Sequence, residues 1–265
     1  MHPKPLFRRI SARGSTAIEY RVPTKRLEPL QRSRNLLLDS LDDGDQALLV
    51  PYLTRVELGG GECLLTLAEA GPVAGFPLTL VASTVEVMAD GSRMETGLIG
   101  PEGVIGWPIA LCGRHVAQAG NVQLDGGAIL TLPLAVLPGL CAQSRSLHAA
   151  MLCFAQSFAV QMSHMVVTNL RDGIERRLAR WLLMLHDRVP GDVLAVTHGE
   201  LASALHVRRA SITDTLHVLE GDRVVRCTRG QLTVRDRPAL TALAGESYGQ
   251  PEASYRALIG AFGKQ

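Results

Sequence analysis

The stretch from Thr197 to Glu220, THGELASALHVRRASITDTLHVLE, leaves little choice of local structure. Thr197 followed three residues later by Glu200 is a capping box, which starts a helix. Leu201, Ala202 and Leu205 form its apolar side. His206 and Val207 break the pattern, and a second helix follows with Ile212, Leu216 and Leu219 at spacings of four and three. Two short helices joined by a tight turn, the second opening on Arg208-Arg209, read as a helix-turn-helix.

Opposite the apolar side, the second helix presents Ala210, Asp214 and His217, flanked by Ser211 and Thr213. Arg209 lies in its first turn, where a guanidinium fork matches the O6 and N7 acceptors of guanine. Helix N-termini also favour phosphate. Thr197 and His198, at the start of the first helix, complete this set of candidate DNA contacts. An ordinary helical hairpin with a solvated polar face would show the same pattern, so the flanking sequence matters. Gly221-Asp222 ends the helix, Arg223 to Thr228 alternates as a strand, Arg229-Gly230 turns, and Gln231 to Arg235 alternates again. A β-hairpin directly after the second helix is a wing, and Arg229 at its tip joins the DNA candidates.

Composition sets the outer bounds. The 265 residues suffice for one or two domains with a substantial core. Hydrophobic residues at 46% and charged residues at 20% describe a globular chain. A formal charge of +2 does not argue for nucleic acid by itself. No apolar run approaches the roughly 20 residues of a membrane span. Five scattered cysteines, Cys63, Cys112, Cys141, Cys153 and Cys227, have no C-x-x-C spacing, so neither a disulfide frame nor a zinc site is signalled. A reducing cytoplasm is the simplest setting.

Residues 1–34 are rich in Lys, Arg and Pro and read as a basic flexible arm able to add non-specific phosphate affinity. Residues 35–143 open with two short helices, around Asn35 to Leu41 and Asp45 to Leu53. Short strands follow over 54–58, 63–67, 79–88, 96–99, 119–124 and 128–132, punctuated by glycine turns, and imply a β-roll. Residues 144–171 are a long helix and hinge. One seam runs Leu147, Met151, Phe154, Phe158, Gln161 and Met165; a second runs Leu152, Ala155, Ala159, Met162 and Val166. Two seams need two partners, the helix's own roll and a twin helix of a second subunit. The candidate dimer-helix residues are therefore Leu147, Met151, Phe154, Phe158, Gln161, Met162 and Met165. A helix buried within a monomer is the plainer alternative. Over 172–243 comes the winged helix-turn-helix, introduced by a helix that Asp172 caps and that runs from Gly173 to Arg188. Leu240 and Leu243 suggest one more short helix. The tail, 244–265, receives no role. The fold class is α+β.

That order, β-roll, long helix, winged helix-turn-helix, resembles the cyclic-AMP receptor protein and FNR (Crp/Fnr) family of bacterial transcription regulators over about Asn35 to Leu243. Three motifs carry the resemblance: Gly97-Leu-Ile-Gly-Pro-Glu-Gly-Val-Ile-Gly, Arg177-Leu-Ala-Arg-Trp-Leu-Leu, and Leu201 to Glu220. It implies a roll like a cyclic-nucleotide-binding jelly roll, a homodimer, a palindromic double-stranded operator, base contact by Arg209 and contact with RNA polymerase. It also implies an effector pocket around Gly103, Gly106, Trp107 and Gln118. Several positions depart from the family pattern. Ala210 and Asp214 stand where cyclic-AMP-binding members carry a glutamate and a second arginine. Trp107 and Gln118 replace the glutamate and arginine that hold the nucleotide, so the charge-assisted phosphate contact is missing and cyclic AMP is not the expected effector. The first cysteine, Cys63, lies too late for the N-terminal iron–sulfur ligands. Haem would have to use His115, His148, His164 or a cysteine. No cofactor is therefore expected.

A dimeric DNA-binding regulator is the reading this supports, with its effector unspecified. Two others compete: a β-roll module acting through protein–protein contacts, and a cupin-like metal enzyme. The enzyme needs clustered His and Glu ligands, and the strand region holds one histidine, His115.

Overall fold

The computed structural model describes residues 34–61, 73–89, 93–108, 119–123 and 126–264. The basic arm, Cys63, Cys112, His115, Gln118 and the strand expected over 63–67 lie outside the described residues.

Asn35 and Asp42 cap α1 (Leu36–Asp39) and α2 (Asp43–Leu49). Asn35 Nδ2 also donates to the carbonyls of Pro77 and Gly103, both at 2.9 Å, and so fastens this entry to the roll. The described roll is two antiparallel three-stranded sheets. One joins β1 (Thr54–Gly59), β6 (Gly126–Pro133) and β2 (Val73–Pro77) in the order β1-β6-β2. The other joins β4 (Arg93–Ile99), β3 (Val81–Val87) and β5 (Ala119–Gln123) in the order β4-β3-β5. A register shift at Thr84/Val85 bends the β3–β4 pair. Strand β2 was not expected: Val73 to Pro77, VAGFP, shows no alternation of apolar and polar residues, and its pairing with β6 is what orders it.

After α3 (Leu137–Gln143), Ser144 caps α4 (Arg145–Arg171) by accepting from Leu147 N. With 27 residues and few charges, α4 meets the length and composition of a membrane span, contrary to the sequence expectation; only 39% of its most apolar window is buried within the chain. Next come α5 (Ile174–His186), β7 (Val193–Leu194), α6 (His198–Ala204) and α7 (Arg209–Gly221). The wing strands β8 (Val225–Thr228) and β9 (Gln231–Val234), α8 (Arg237–Ala244) and α9 (Gln250–Leu258) complete the chain. Strand β7 is too short for any sequence signal, yet it turns the wing into a three-stranded sheet in the order β7-β9-β8. Asp172 does not cap α5. It closes α4, receives Ser247 Oγ and pairs with Arg171, while Gly173 is the residue that starts α5.

Two apolar cores result. The first joins the roll interior to the inner face of α4 and includes Tyr255 and Phe262 from the C-terminal segment. The second fills the helix-turn-helix around Trp181 and Leu182, and takes in Val81 and Leu98 from the roll. The helix-turn-helix domain, or head, is thus seated on the roll. The tail, expected to have no role, is an ordered helix packed along α4.

Candidate nucleic-acid interface

The helix-turn-helix is held from below and capped from within. Thr197 Oγ1 accepts from Glu200 N at 3.2 Å and Glu200 Oε2 accepts from Thr197 N at 2.7 Å, closing the expected box. Leu201, Ile212, Leu216 and Leu219 are all at most 1% exposed, so the inner sides of α6 and α7 are spent on packing. At the turn between them His206 takes φ +52°, a conformation usually left to glycine. Val207 N then donates to Ala202 O at 3.0 Å, which sets the angle between the helices. Arg177, quoted in the sequence only as part of a motif, supplies a further brace. Its Nε donates to Asn169 Oδ1 at 3.0 Å and its Nη2 to Leu205 O, joining the end of α4, α5 and the turn.

Packing on one side leaves the opposite side of α7 free. Arg208, Arg209, Ala210, Asp214 and His217 are exposed, and Ser211 and Thr213 are half-buried on the flanks, as their spacing predicts. Arg208 occupies the N-cap position without a side-chain cap bond, so the first-turn amides of α7 have no internal acceptor from that residue. Amides of this kind, with the helix dipole and two guanidinium groups beside them, form a site for a phosphate oxygen. Thr213 Oγ1 donates to Arg209 O at 3.1 Å and lies 3.0 Å from His198 Nδ1. The contact pins the start of α6 to the first turn of α7. Asp214 forms no ion pair with Arg209 or His217 among the described residues, so its carboxylate faces outward as an acceptor.

Four arginines extend this surface. Arg223, Arg226, Arg229 and Arg235 are exposed on and beside the wing, and Gly230, at φ +74°, makes the wing turn beside Arg229. Thr197 and His198 lie at the edge of the same surface. Of the ten candidate DNA contacts, His198 is joined directly to the first turn of α7 through Thr213, while Arg229 stands apart on the wing turn.

The candidate dimer residues behave differently. Leu147 and Met151 are fully buried, Phe154 and Phe158 are 2% exposed, and Gln161 and Met165 are 6% and 7% exposed, all inside their own chain. Gln161 pairs its amide with both backbone groups of Leu98, at 2.8 and 3.2 Å, much as a neighbouring strand would. Met162 is half-buried against the same core. The seam chosen from sequence thus faces the roll, because its large side chains fit the space beneath β4. Among the residues α4 leaves outside, one stripe runs Ala149, Leu152, Gln156, Ala159, Ser163, Val166 and Leu170 at alternating steps of three and four, with Val166 59% and Leu170 84% exposed. Ala155, assigned to the second seam, is buried.

Of the candidate effector positions, Gly103 backs onto the Phe154 ring so closely that a Cβ would lie 2.3 Å from it. Trp107 packs edge-on against Phe158, ring centroids 5.9 Å apart. Gly106 adopts φ +84° beside β2. Gly103 and Trp107 are thereby tied to the inner face of α4. No three His, Cys, Asp or Glu side chains converge to hold a metal among the described residues.

Comparison with known proteins agrees with this architecture. Residues 176–243 match the family model of the Crp-like helix-turn-helix domain. Among solved structures, FixK2 from Bradyrhizobium japonicum superposes with a TM-score of 0.60 at 14% identity, covering 73% of this chain and 98% of that one. A transcriptional regulator of the CRP family from Thermus thermophilus gives 0.57 at 19% identity over 72% of this chain and 97% of that one. The c-di-GMP-responsive global regulator CLP of Xanthomonas campestris gives 0.57 at 14% identity over 73% and 99%. A search of curated proteins found no match.

Proposed function

Taking residues 176–243 as a Crp-like helix-turn-helix domain carried on a Crp/Fnr-type fold, we propose that this protein is a homodimeric, sequence-specific DNA-binding transcription regulator. The observation that carries the proposal is the free face of α7: an N-terminus without a side-chain cap, Arg208 and Arg209 exposed beside it, and Leu201, Ile212, Leu216 and Leu219 turned inward. Nothing in the packing of the head requires those arginines, whereas base edges and phosphates do. Arg209 reads the base edge. Ser211, Thr213 and His217 serve as neighbouring polar contacts, Asp214 accepts from an exposed amino group such as cytosine N4, and Arg229 lies against the backbone beyond the groove.

The outward seam of α4 is the dimer surface of this reading. Its three-four spacing is that of a coiled-coil stripe, and small residues at Ala149, Ala159 and Ser163 allow close approach of a twin helix. Two copies then present α7 to half-sites one helical turn apart, so the operator is a palindrome. RNA polymerase remains the expected partner at the promoter. The effector is neither cyclic AMP nor an iron–sulfur cluster, on the grounds of Trp107, Gln118 and the placement of Cys63.

Selection of bound duplexes from a random pool with the purified protein should return a two-fold symmetric motif. Arg209→Ala should then cost about 1–3 kcal/mol of affinity for that motif, measured by fluorescence anisotropy, with much less change on unrelated DNA. Equal affinity of the two proteins for the selected site would remove Arg209 from the reading role.

A further inference from the structure

Buried charge gathers where the roll meets the reading head. Glu102, in the turn after β4, pairs with Arg188, just beyond α5, at 2.8 Å, with side chains 4% and 2% exposed. Glu95 on β4 accepts from Trp181 Nε1 of α5 at 2.6 Å and from Ser83 Oγ at 2.7 Å. Arg180 of α5 is 4% exposed, its Nη2 is buried without a hydrogen-bond partner among the described residues, and the charges of Glu252 of α9 and Glu95 favour its charged form. Charges removed from water are costly unless each is compensated. Glu102 and Arg188 compensate each other directly, whereas Arg180 is served only by carboxylates at longer range, and these groups come from three separate parts of the chain: the roll, the helix-turn-helix domain and the C-terminal segment.

The C-terminal segment also closes the joint mechanically. Tyr255, 2% exposed, donates its hydroxyl to Glu102 O at 2.7 Å and packs against Phe262 with ring centroids 4.9 Å apart. Phe262 in turn lies 5.1 Å from the Arg188 guanidinium. Farther along, Lys264 N donates to Asp187 Oδ1 at 2.9 Å, and Arg237 Nη2 donates to Lys264 O at 2.8 Å. Just before the segment, Ser247 holds Asp172, the residue between α4 and α5. A cavity of only about 10 Å³ remains between the segment, α4 and Arg188. That is about the least space that admits one water, so protein side chains occupy the joint. The matched domain ends at residue 243, before this segment begins.

We propose that Tyr248 to Lys264 is an intramolecular strap that fixes the reading head in one DNA-competent orientation on its roll. A head swinging freely about Asp172–Gly173 would lose that freedom on binding DNA, which weakens affinity; a strapped head has already lost it. The strap does from within the chain what a bound small molecule does in a ligand-gated regulator. This proposal rests on the DNA-binding reading for the competence of that orientation and for its affinity readout; that the segment holds the head is judged without DNA.

The test is Tyr255→Phe combined with Phe262→Ala in the full-length chain, beside a chain ending at Ser247. Hydrogen exchange over residues 168–188 should accelerate about tenfold or more in both, with protection retained in β3 and β6. Affinity for the selected duplex should fall about tenfold. Exchange over 168–188 unchanged within twofold would overturn the strap, whatever the protein does with DNA. Tighter DNA binding by either variant would equally overturn it, since the strap would then hold an inhibited orientation. If the shortened chain fails to fold, the double variant decides. Failure of the wild-type protein to bind any duplex would reject the DNA-binding reading, while the exchange data would still judge whether the segment holds the head.

Discussion

The two faces of α4 are made of similar residues and live in different surroundings. On the inner face Met151, Phe154 and Phe158 are at most 2% exposed, and the glycines opposite are matched to them: a Cβ at Gly97 would come within 2.8 Å of the Phe158 ring. On the outer face Leu152, Val166 and Leu170 are 47%, 59% and 84% exposed, interleaved with Ala159 and Ser163. Bulky side chains against glycine make a packed interior that only one chain's own roll fits. Modest side chains at the same spacing make a surface that suits a second helix of equal shape. Periodicity measures apolarity, and burial depends on which partner is available; that is the lesson of the contrast.

The contrast breaks most visibly on the outer face. Leu152→Glu with Val166→Glu should convert a dimer to a monomer in sedimentation velocity and abolish tight binding to a two-half-site duplex. The melting temperature of the roll should stay nearly unchanged, because neither residue is buried in the chain. A persistent dimer would assign the interface elsewhere. On the inner face, Phe158→Ala should cost about 3–5 kcal/mol of folding stability in denaturant titrations, through lost contacts with Phe154, Trp107 and Gly97. A cost under about 1 kcal/mol would mean the inner face is not the anchored one.

A smaller effect sharpens how far the inner environment extends. Burial raises the Glu95 carboxyl from 4.5 to about 7, against the hydrogen bonds from Ser83 and Trp181 and the charges of Arg180 and Arg188. Between those values the folded chain keeps a proton that the unfolded chain has released. This contribution to stability therefore falls as pH rises from about 4.5 to about 7 and is level above that. The loss is at most ~3 kcal/mol. Glu95→Gln should flatten this part of the stability–pH curve; an unchanged slope would place Glu95 in contact with water.

Local chemistry was legible where it is self-contained. The capping box at Thr197, the wing turn at Gly230 and the inward set Ile212, Leu216 and Leu219 depend on neighbours a few residues away, and the structure places them as the spacing implies. The exposed face of α7 follows by subtraction. Strand β2 was not legible, since its order comes from pairing with β6 far along the chain. Nor was the role of Asp172, whose partner Ser247 is 75 residues away.

By itself the amino-acid order determined the helix-turn-helix, its wing, the long apolar helix and the exposed arginines of α7 and the wing, because capping, turn geometry and amphipathic spacing act over a single turn or hairpin. Tertiary structure alone decided which stripe of α4 is covered and that the final residues cross back over the head. It likewise decided that Glu95, Glu102, Arg180, Arg188 and Glu252 share one buried joint. Those outcomes depend on shape fit and charge compensation between segments as much as 153 residues apart, the separation of Tyr255 from Glu102, and no local pattern encodes them.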